Sequence, residues 1–413
     1  MRRYIISHFR EPIDIASSSL GEKHAVYGGA ANLKQGIKNV MSKYEPDIVG
    51  IATTCLTETI GDDVANILWE FIRETRGGSA KLPAIVNVAT PSYSGTHMEG
   101  FHAAVRATIA QLATSEPSSE WTAQPVNLLP GLVSPGDLRH LKEMLADFEL
   151  SGIVLPDISE TLDAPAQLDY DKIPDGGTCI KDIRSMGASQ ATVEWGRTLL
   201  RSPDRAGKLL ADRYHVPLHA IGTPIGIRES DRWFETLEQI SDRPTPRKYQ
   251  QERGRLVDAY VDGHKYIFGK RALVYGEEDL IVGVTSFLAE IGIRPVLCAT
   301  GGASGHLQEA IAEVTDGILP EPPLIRENID FYQIAEEAEN LGIDIIVGHS
   351  KGYSLARKLE IPLIRVGFPI HDRFGGQRTL HIGYRGTQTL FDRIVNAVIE
   401  KKQVDSPVGY GYL

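Results

Sequence analysis

Short runs of β-branched and aliphatic residues recur along the chain, and between them the apolar positions change to a helical period. The segments "DIVGIAT", "AIVNVAT", "VNLLPG", "GIVLPD", "ATVEW", "PLHAIG", "ALVYGE", "PVLCATG", "DIIVGHS" and "PLIRVGF" predict strands. In "NLKQGIKNVMSKY" the residues Leu33, Ile37, Val40, Met41 and Tyr44 share one helical face, and Val64, Ile67, Leu68, Phe71 and Ile72 do so in "DDVANILWEFIRE". "SPGDLRHLKEMLADF" opens with Ser134 as N-cap, Pro135 in the first turn and Asp137 three residues past the cap, and then buries Leu138, Leu141, Met144, Leu145 and Phe148. Strand and helix alternating at this spacing predict an α/β fold of doubly wound, Rossmann-like domains with parallel sheets.

A chain of 413 residues exceeds one ordinary core, and two polar, aperiodic stretches divide it. "SEPSSEWTAQP" and "SDRPTPRKYQQERGR" place domains at 1–118, 119–266 and 267–413, the last with a C-terminal helix. Fixed-period repeats and low-complexity tracts are absent.

A net charge of −11 gives no electrostatic footprint for nucleic acid or for an anionic membrane. No run reaches the roughly 18 apolar residues of a membrane span, and Ser7 and His8 interrupt the N-terminal apolar stretch before a signal core forms. The expectation is a cytoplasmic protein. Three scattered cysteines, Cys55, Cys179 and Cys298, argue for free or metal-bound thiols in a reducing compartment rather than a disulfide framework.

Polar groups at strand ends are the places where chemistry is expected, because ligands of open α/β sheets collect there. No phosphate loop of the form G-x-x-x-x-G-K-[ST] occurs, and "GGASGH" lacks the G-x-G-x-x-G spacing, so Gly301, Gly302 and Gly305 read as turn residues. "GHSKG" resembles a phosphate loop only superficially. H-E-x-x-H and C-x-x-C are also missing. His97 and His102 are five apart with no thiol beside them and read as ordinary histidines; Asp62 and Asp63 read as helix-capping carboxylates. Cys179 and Cys298 read as structural, and on the residues alone Cys55 does too, as a buried thiol at the end of a strand.

Six stretches in consistent order change the reading of Cys55: "HFREP" (His8 to Pro12), "YGGAANLKQGI", "TTCLTETIGDD", "TPSYSGTH", "ERGRLVDAYVDGHKYIFGKR" and "PLIRVGFPIHDR". With them the whole chain resembles the nitrogenase component 1 superfamily, particularly its β-type subunits and the related cofactor-assembly scaffold subunit, NifN. The resemblance implies three α/β domains around a central cleft. It also implies pairing with a homologous α-type subunit in an α2β2 heterotetramer, and docking of an ATP-hydrolysing iron protein that delivers electrons. An iron–sulfur cluster, of P-cluster type or [4Fe–4S], is implied at the interface with the α-type subunit. By the same resemblance Cys55 matches a cluster-binding cysteine, and Ser92 matches a serine that ligates the oxidised cluster through its hydroxyl. No catalytic residue is assigned to this chain, since the family's substrate-reducing cofactor lies in the α-type subunit.

The sequence departs from the family pattern at its start. Family β-chains carry two further cluster cysteines upstream of "HFREP", whereas this sequence begins a few residues before it. Two expectations follow, a shortened N-terminus or a stripped half-site. His371, Asp372 and Arg373 read either as near the subunit or cofactor region or as buried ion-pair partners. An electron-relaying β-type subunit is the first functional reading and a cofactor-assembly scaffold the second. A colourless, Rossmann-like sugar-nucleotide enzyme or small-ligand binder is the third.

Overall fold

The computed structural model describes residues 15–75, 82–119, 121–166, 172–173 and 175–408. The "HFREP" stretch lies outside them. The chain forms two compact units, Met1–Asn127 with Ile153–Thr192 and Asp204–Pro217, and Leu128–Gly152 with Val193–Pro203 and Leu218–Leu413.

The first unit begins with α1 (His24–Tyr27) and α2 (Ala30–Tyr44), followed by β1 (Ile48–Ala52), α3 (Cys55–Ile60), α4 (Val64–Thr75), β2 (Ala84–Val88) and α5 (His97–Leu112). β1 and β2 pair in parallel, from Ile48 opposite Ala84 to Ala52 opposite Val88. The helical stripes read from the sequence meet as expected: Ile37 of α2 packs with Leu68 and Phe71 of α4, over Ile51 and Ile85 of the strands. α5 lies along β2, where the Gln111 side chain accepts from the Asn87 N–H at 3.1 Å and donates to its carbonyl at 2.7 Å. Those are ladder groups that would otherwise lack a partner.

Next come β3 (Val126–Leu129), α6 (Pro135–Asp147), β4 (Gly152–Val154), α7 (Ile180–Ser185), β5 (Ala191–Trp195), α8 (Ala206–Tyr214) and β6 (Leu218–Ile221). The strands lie in the order β4-β3-β5-β6, and the division between the units runs through β3, β4 and β5. Ser134 caps α6 as expected, accepting from the Asp137 N–H at 2.9 Å. The Asp137 carboxylate does more than complete that cap. It accepts from the His381 N–H at 2.7 Å and pairs with His381 Nδ1 at 3.1 Å, both residues buried.

The second unit continues through α9 (Ile227–Ser241), α10 (Arg247–Ile267), β7 (Arg271–Tyr275), α11 (Glu278–Glu290), β8 (Arg294–Ala299), α12 (Leu307–Thr315), β9 (Leu324–Arg326), α13 (Phe331–Glu339), β10 (Ile345–Gly348), α14 (Tyr353–Lys358), β11 (Leu363–Arg365) and α15 (Gly383–Asp405). Five parallel strands stand in the order β11-β10-β7-β8-β9. Alternate residues of β7 serve opposite cores. Ala272 and Val274 join Phe287, Ile311, Leu390 and Ile394 on one face, while Leu273 and Tyr275 join Ile334, Ala338 and Leu355 on the other. Near-continuous apolar runs are what a sheet covered on both faces requires. Among the described residues no helix is long and apolar enough to cross a membrane.

Candidate functional site

Both residues singled out as ligands lie just beyond the carboxyl ends of the paired strands β1 and β2. The ladder does not stop at Ala52 and Val88: the Thr53 N–H donates to the Val88 carbonyl at 3.1 Å. The Thr90 N–H then donates to Thr53 Oγ1 at 3.1 Å, and Thr90 Oγ1 donates to the Thr53 carbonyl at 2.8 Å. Thr53 Oγ1 in turn donates to the Glu58 carboxylate. Cys55 follows Thr53 by two residues and Ser92 follows Thr90 by two, so the threonine pair ties together the loops that carry them.

Cys55 is the first residue of α3, entered through extended Thr54, whose N–H donates to Thr57 Oγ1 at 2.9 Å. The thiol is exposed, which corrects the residue-only reading of a buried structural cysteine. That reading rested on the average burial of cysteine. Here the strand has ended, and the short helix α3 buries none of its residues.

Ser92 is also exposed, beside Tyr93, which is 66% exposed. The capping role open to a strand-end serine belongs instead to Thr96, whose Oγ1 accepts from the Met98 N–H at 3.2 Å while its own N–H donates to Glu99 at 2.7 Å. Among the described residues neither the Cys55 thiol nor the Ser92 hydroxyl makes a hydrogen bond.

The acidic pair that ends this motif divides its work. Asp63 caps α4, accepting from the Asn66 N–H at 3.0 Å, as the sequence led one to expect. Asp62 instead reaches back 33 residues, and both of its oxygens accept from the Gly29 N–H, at 2.9 and 3.2 Å. It thereby caps α2, whose N-cap glycine has no side chain to do so. A Cβ on Gly28 or Gly29 would stand 2.9 Å from an Asp62 oxygen, and Gly28 has φ +78°, so "YGG" and "IGDD" are two halves of one contact.

As a test of fit to an iron–sulfur cluster, Cys55 and Ser92 supply one soft thiolate donor and one hydroxyl, both facing outward and unengaged. Their donor chemistry suits the iron of such a cluster. No group of three or more His, Cys, Asp or Glu residues able to hold a metal occurs among the described residues. His97 and His102 form no such group either. His102 packs edge-on to Phe101, and burial lowers its pKa to about 4. Cys298 is fully buried against Thr285 Oγ1 at 3.4 Å, and burial pushes its thiol up to about 12. Cys179 is exposed just before α7.

Nucleotide chemistry would belong at the second unit's switch point, between β7 and β10. Tyr275 occupies it. Its hydroxyl donates to the His349 carbonyl and accepts the Gly352 N–H at 2.9 Å, while the Lys351 N–H is taken by His349 Nδ1 at 3.3 Å. A Cβ on Gly348 or Gly352 would meet the Tyr275 side chain at 2.5 or 2.3 Å, so the glycines of "GHSKG" make room for an internal ring. The amides of "TGGASGH" are spent similarly. Ser304 donates to Glu278 at 3.2 Å and Gly305 to Glu327 at 3.0 Å, which sets carboxylates where a phosphate would have to sit. Of the two readings of "HDR", an ion pair is present but it is not buried, since His371, Asp372 and Arg373 all lie on an exposed loop. Asp372 is held by Arg365 through Nε at 2.8 Å and Nη2 at 2.6 Å.

Thr53, Thr90, Glu58 and Asp62 were not assigned these roles from the sequence. The available signal was a threonine soon after each of two neighbouring strands.

The family described as Nitrogenase component 1 type Oxidoreductase matches residues 1–399. The nitrogenase molybdenum-iron protein beta chain of Clostridium pasteurianum is 31% identical over 97% of this chain and 86% of its own length. The nitrogenase iron-molybdenum cofactor biosynthesis protein NifN of Bradyrhizobium diazoefficiens is 33% identical over 95% of this chain and 81% of its own. A solved structure titled "Nitrogenase Cp1 at pH 6.5" superposes with a TM-score of 0.92 at 30% identity, covering 100% of this chain and 88% of that one. The chain belongs to the nitrogenase component 1 type oxidoreductases, among the β-type chains and their NifN-like relatives.

Proposed function

We propose that this chain is a β-type subunit that supplies one side of an interfacial iron–sulfur cluster, of P-cluster type or [4Fe–4S], in a cytoplasmic α2β2 complex. Its homologous α-type partner supplies the opposite ligands and the metal cofactor at which substrate is reduced. An ATP-hydrolysing iron protein delivers the electrons. The cluster, when bound, supplies an electron store between that protein and the cofactor. Cys55 binds iron as a thiolate, Ser92 adds its hydroxyl oxygen, and the Thr53–Thr90 bonds hold the two loops side by side. This chain contributes no catalytic residue.

The observation that carries the reading is the exposed, unengaged pair Cys55 and Ser92 on adjoining strand ends. Tyr275 at the switch point speaks against the sugar-nucleotide alternative. The test is Cys55→Ala in the anaerobically isolated αβ complex: iron is lost and the paramagnetic spectrum changes. Unchanged iron and an unchanged spectrum would refute ligation.

A NifN-like scaffold is the second reading, supported by the likeness to NifN chains. The two separate by function. A reductase complex given iron protein and ATP passes electrons to a small reducible substrate, whereas a scaffold transfers a metal cofactor to a cofactor-free acceptor.

A further inference from the structure

We propose that Thr53 is a positioning residue that sets the spacing of Cys55 and Ser92; the proposal rests on the ligand reading above. Each polar group of Thr53 is used. Its N–H goes to the Val88 carbonyl, its carbonyl accepts from Thr90 Oγ1, its Oγ1 accepts from the Thr90 N–H, and its hydroxyl proton goes to Glu58. The first three bonds reach the β2 side, which carries Ser92. The fourth reaches into α3, whose first residue is Cys55. One side chain therefore fixes the thiol-bearing helix and the hydroxyl-bearing loop to each other. Hydrophobic packing cannot do this here, because α3 buries no residue and Pro91 is only half-buried.

The loop with Ser92 is the part that needs such fixing. A serine hydroxyl binds iron as an alkoxide. The O–Fe bond forms as the O–H bond breaks, the proton passes to water at this exposed position, and the electron leaves to the oxidant, here a titrating redox mediator. Such a couple has a midpoint potential that falls with pH. Thr53→Val keeps the β-branched shape but removes the donor to Glu58 and the acceptor for Thr90.

The experiment is a mediator titration of the αβ complex at several pH values, with iron content measured on the same samples. Wild type is expected to show the pH slope and Ser92→Ala to lack it. Thr53→Val is expected to lose the slope while keeping its iron, and Thr53→Ser to regain it. Glu58→Ala, which removes the acceptor of the Thr53 hydroxyl proton, is expected to behave as Thr53→Val and serves if that variant does not fold. A wild-type slope in Thr53→Val would overturn the proposal, whatever happened to its melting temperature. Iron lost together with the slope would also overturn it, since the hydroxyl would then hold the fold rather than the spacing. Full iron in Cys55→Ala would bring down the ligand reading itself. Iron lost from Cys55→Ala beside an intact slope in Thr53→Val brings down the positioning role alone.

Discussion

Replacing Asp62 by alanine tests whether "IGDD" acts as the cap of a distant helix. α2 is 15 residues long and its N-cap is Gly29, so the cap position has no side-chain acceptor of its own. Asp62 supplies one carboxylate to the half-buried Gly29 N–H. A hydrogen bond to a charged group contributes about 1.5–3 kcal/mol. Negative charge at a helix N-terminus adds roughly 0.3–1 kcal/mol. Removing Gly29's partner lets water replace part of this, so a local loss of about 2 kcal/mol is expected for Asp62→Ala. Asp62→Asn keeps an acceptor and loses the charge, at about 0.5–1 kcal/mol.

Gly29→Ala attacks the same contact from the other side. Its Cβ would stand 2.8 Å from Leu20 Cδ2 and 2.9 Å from Asp62 Oδ2, an overpacking cost of about 1–3 kcal/mol. Combined, the two changes cost less than their sum, because the Asp62 part of the clash goes with the carboxylate while the Leu20 part remains. Native-state hydrogen exchange reads this locally. A loss of about 2 kcal/mol speeds exchange in α2 roughly 30-fold, while α15 in the second unit is unaffected. Exchange in α2 within about two-fold of wild type, or equal acceleration in α15, would refute the cap.

Asp372 has its pKa lowered to about 2, chiefly by the hydrogen bonds from Arg365. A depressed carboxylate pKa stabilises the fold above its unfolded value of about 3.9 and loses that stabilisation as pH falls towards 2. With Asp372 about a third exposed, Asp372→Asn should cost about 1 kcal/mol at pH 7 and little at pH 2, checked by denaturant titration at both. Tyr275→Phe removes one of two acceptors of the Gly352 N–H, which also donates to the His349 carbonyl at 3.3 Å, and should destabilise by about 0.5–1.5 kcal/mol in a urea titration, without opening a nucleotide site. Nucleotide-dependent melting of either protein would contradict that account. In the separated chain, maleimide should label Cys55 and Cys179 rapidly and leave Cys298 untouched, as mass spectrometry would read out. Assembly with cluster should protect Cys55 alone.

Much of the fold was legible because its signal is local. Strand runs such as "ALVYGE" and "DIIVGHS" are buried on both faces and read as continuous apolar segments, and Ser134 announces its helix by a cap three residues from its partner. β9, Leu324–Arg326, was missed: three residues after two prolines carry too little pattern to register. The polar stretch read as a boundary after Ser241 partly forms α10, whose Arg253 pairs with Asp231 of α9 at 2.8 Å. Polar composition there reflects an ion-paired helix surface. The missed roles share one physical cause. Asp62 meets Gly29 across 33 residues, Thr53 meets Thr90 across 37, and Asp137 meets His381 across 244. Asp62 and Asp137 look like local caps, and Thr53 like an ordinary strand-end residue, until the fold brings the partner.

Those long-range bonds also bear on why Cys55 alone was a poor guide. A thiol that serves its own chain is buried and held up in pKa, as Cys298 is against Thr285. Cys55 has the opposite surroundings: it is exposed and unengaged, on a short helix that buries nothing, yet tied to the neighbouring loop by two threonines. Support of this kind beneath an unengaged donor is what a preorganised binding site needs. For an iron–sulfur cluster something outside the chain must bring further ligands, because one thiolate and one hydroxyl leave its iron under-coordinated. On the proposed reading the site is completed by the α-type partner, and a half-site of this kind is visible in a single sequence only through resemblance.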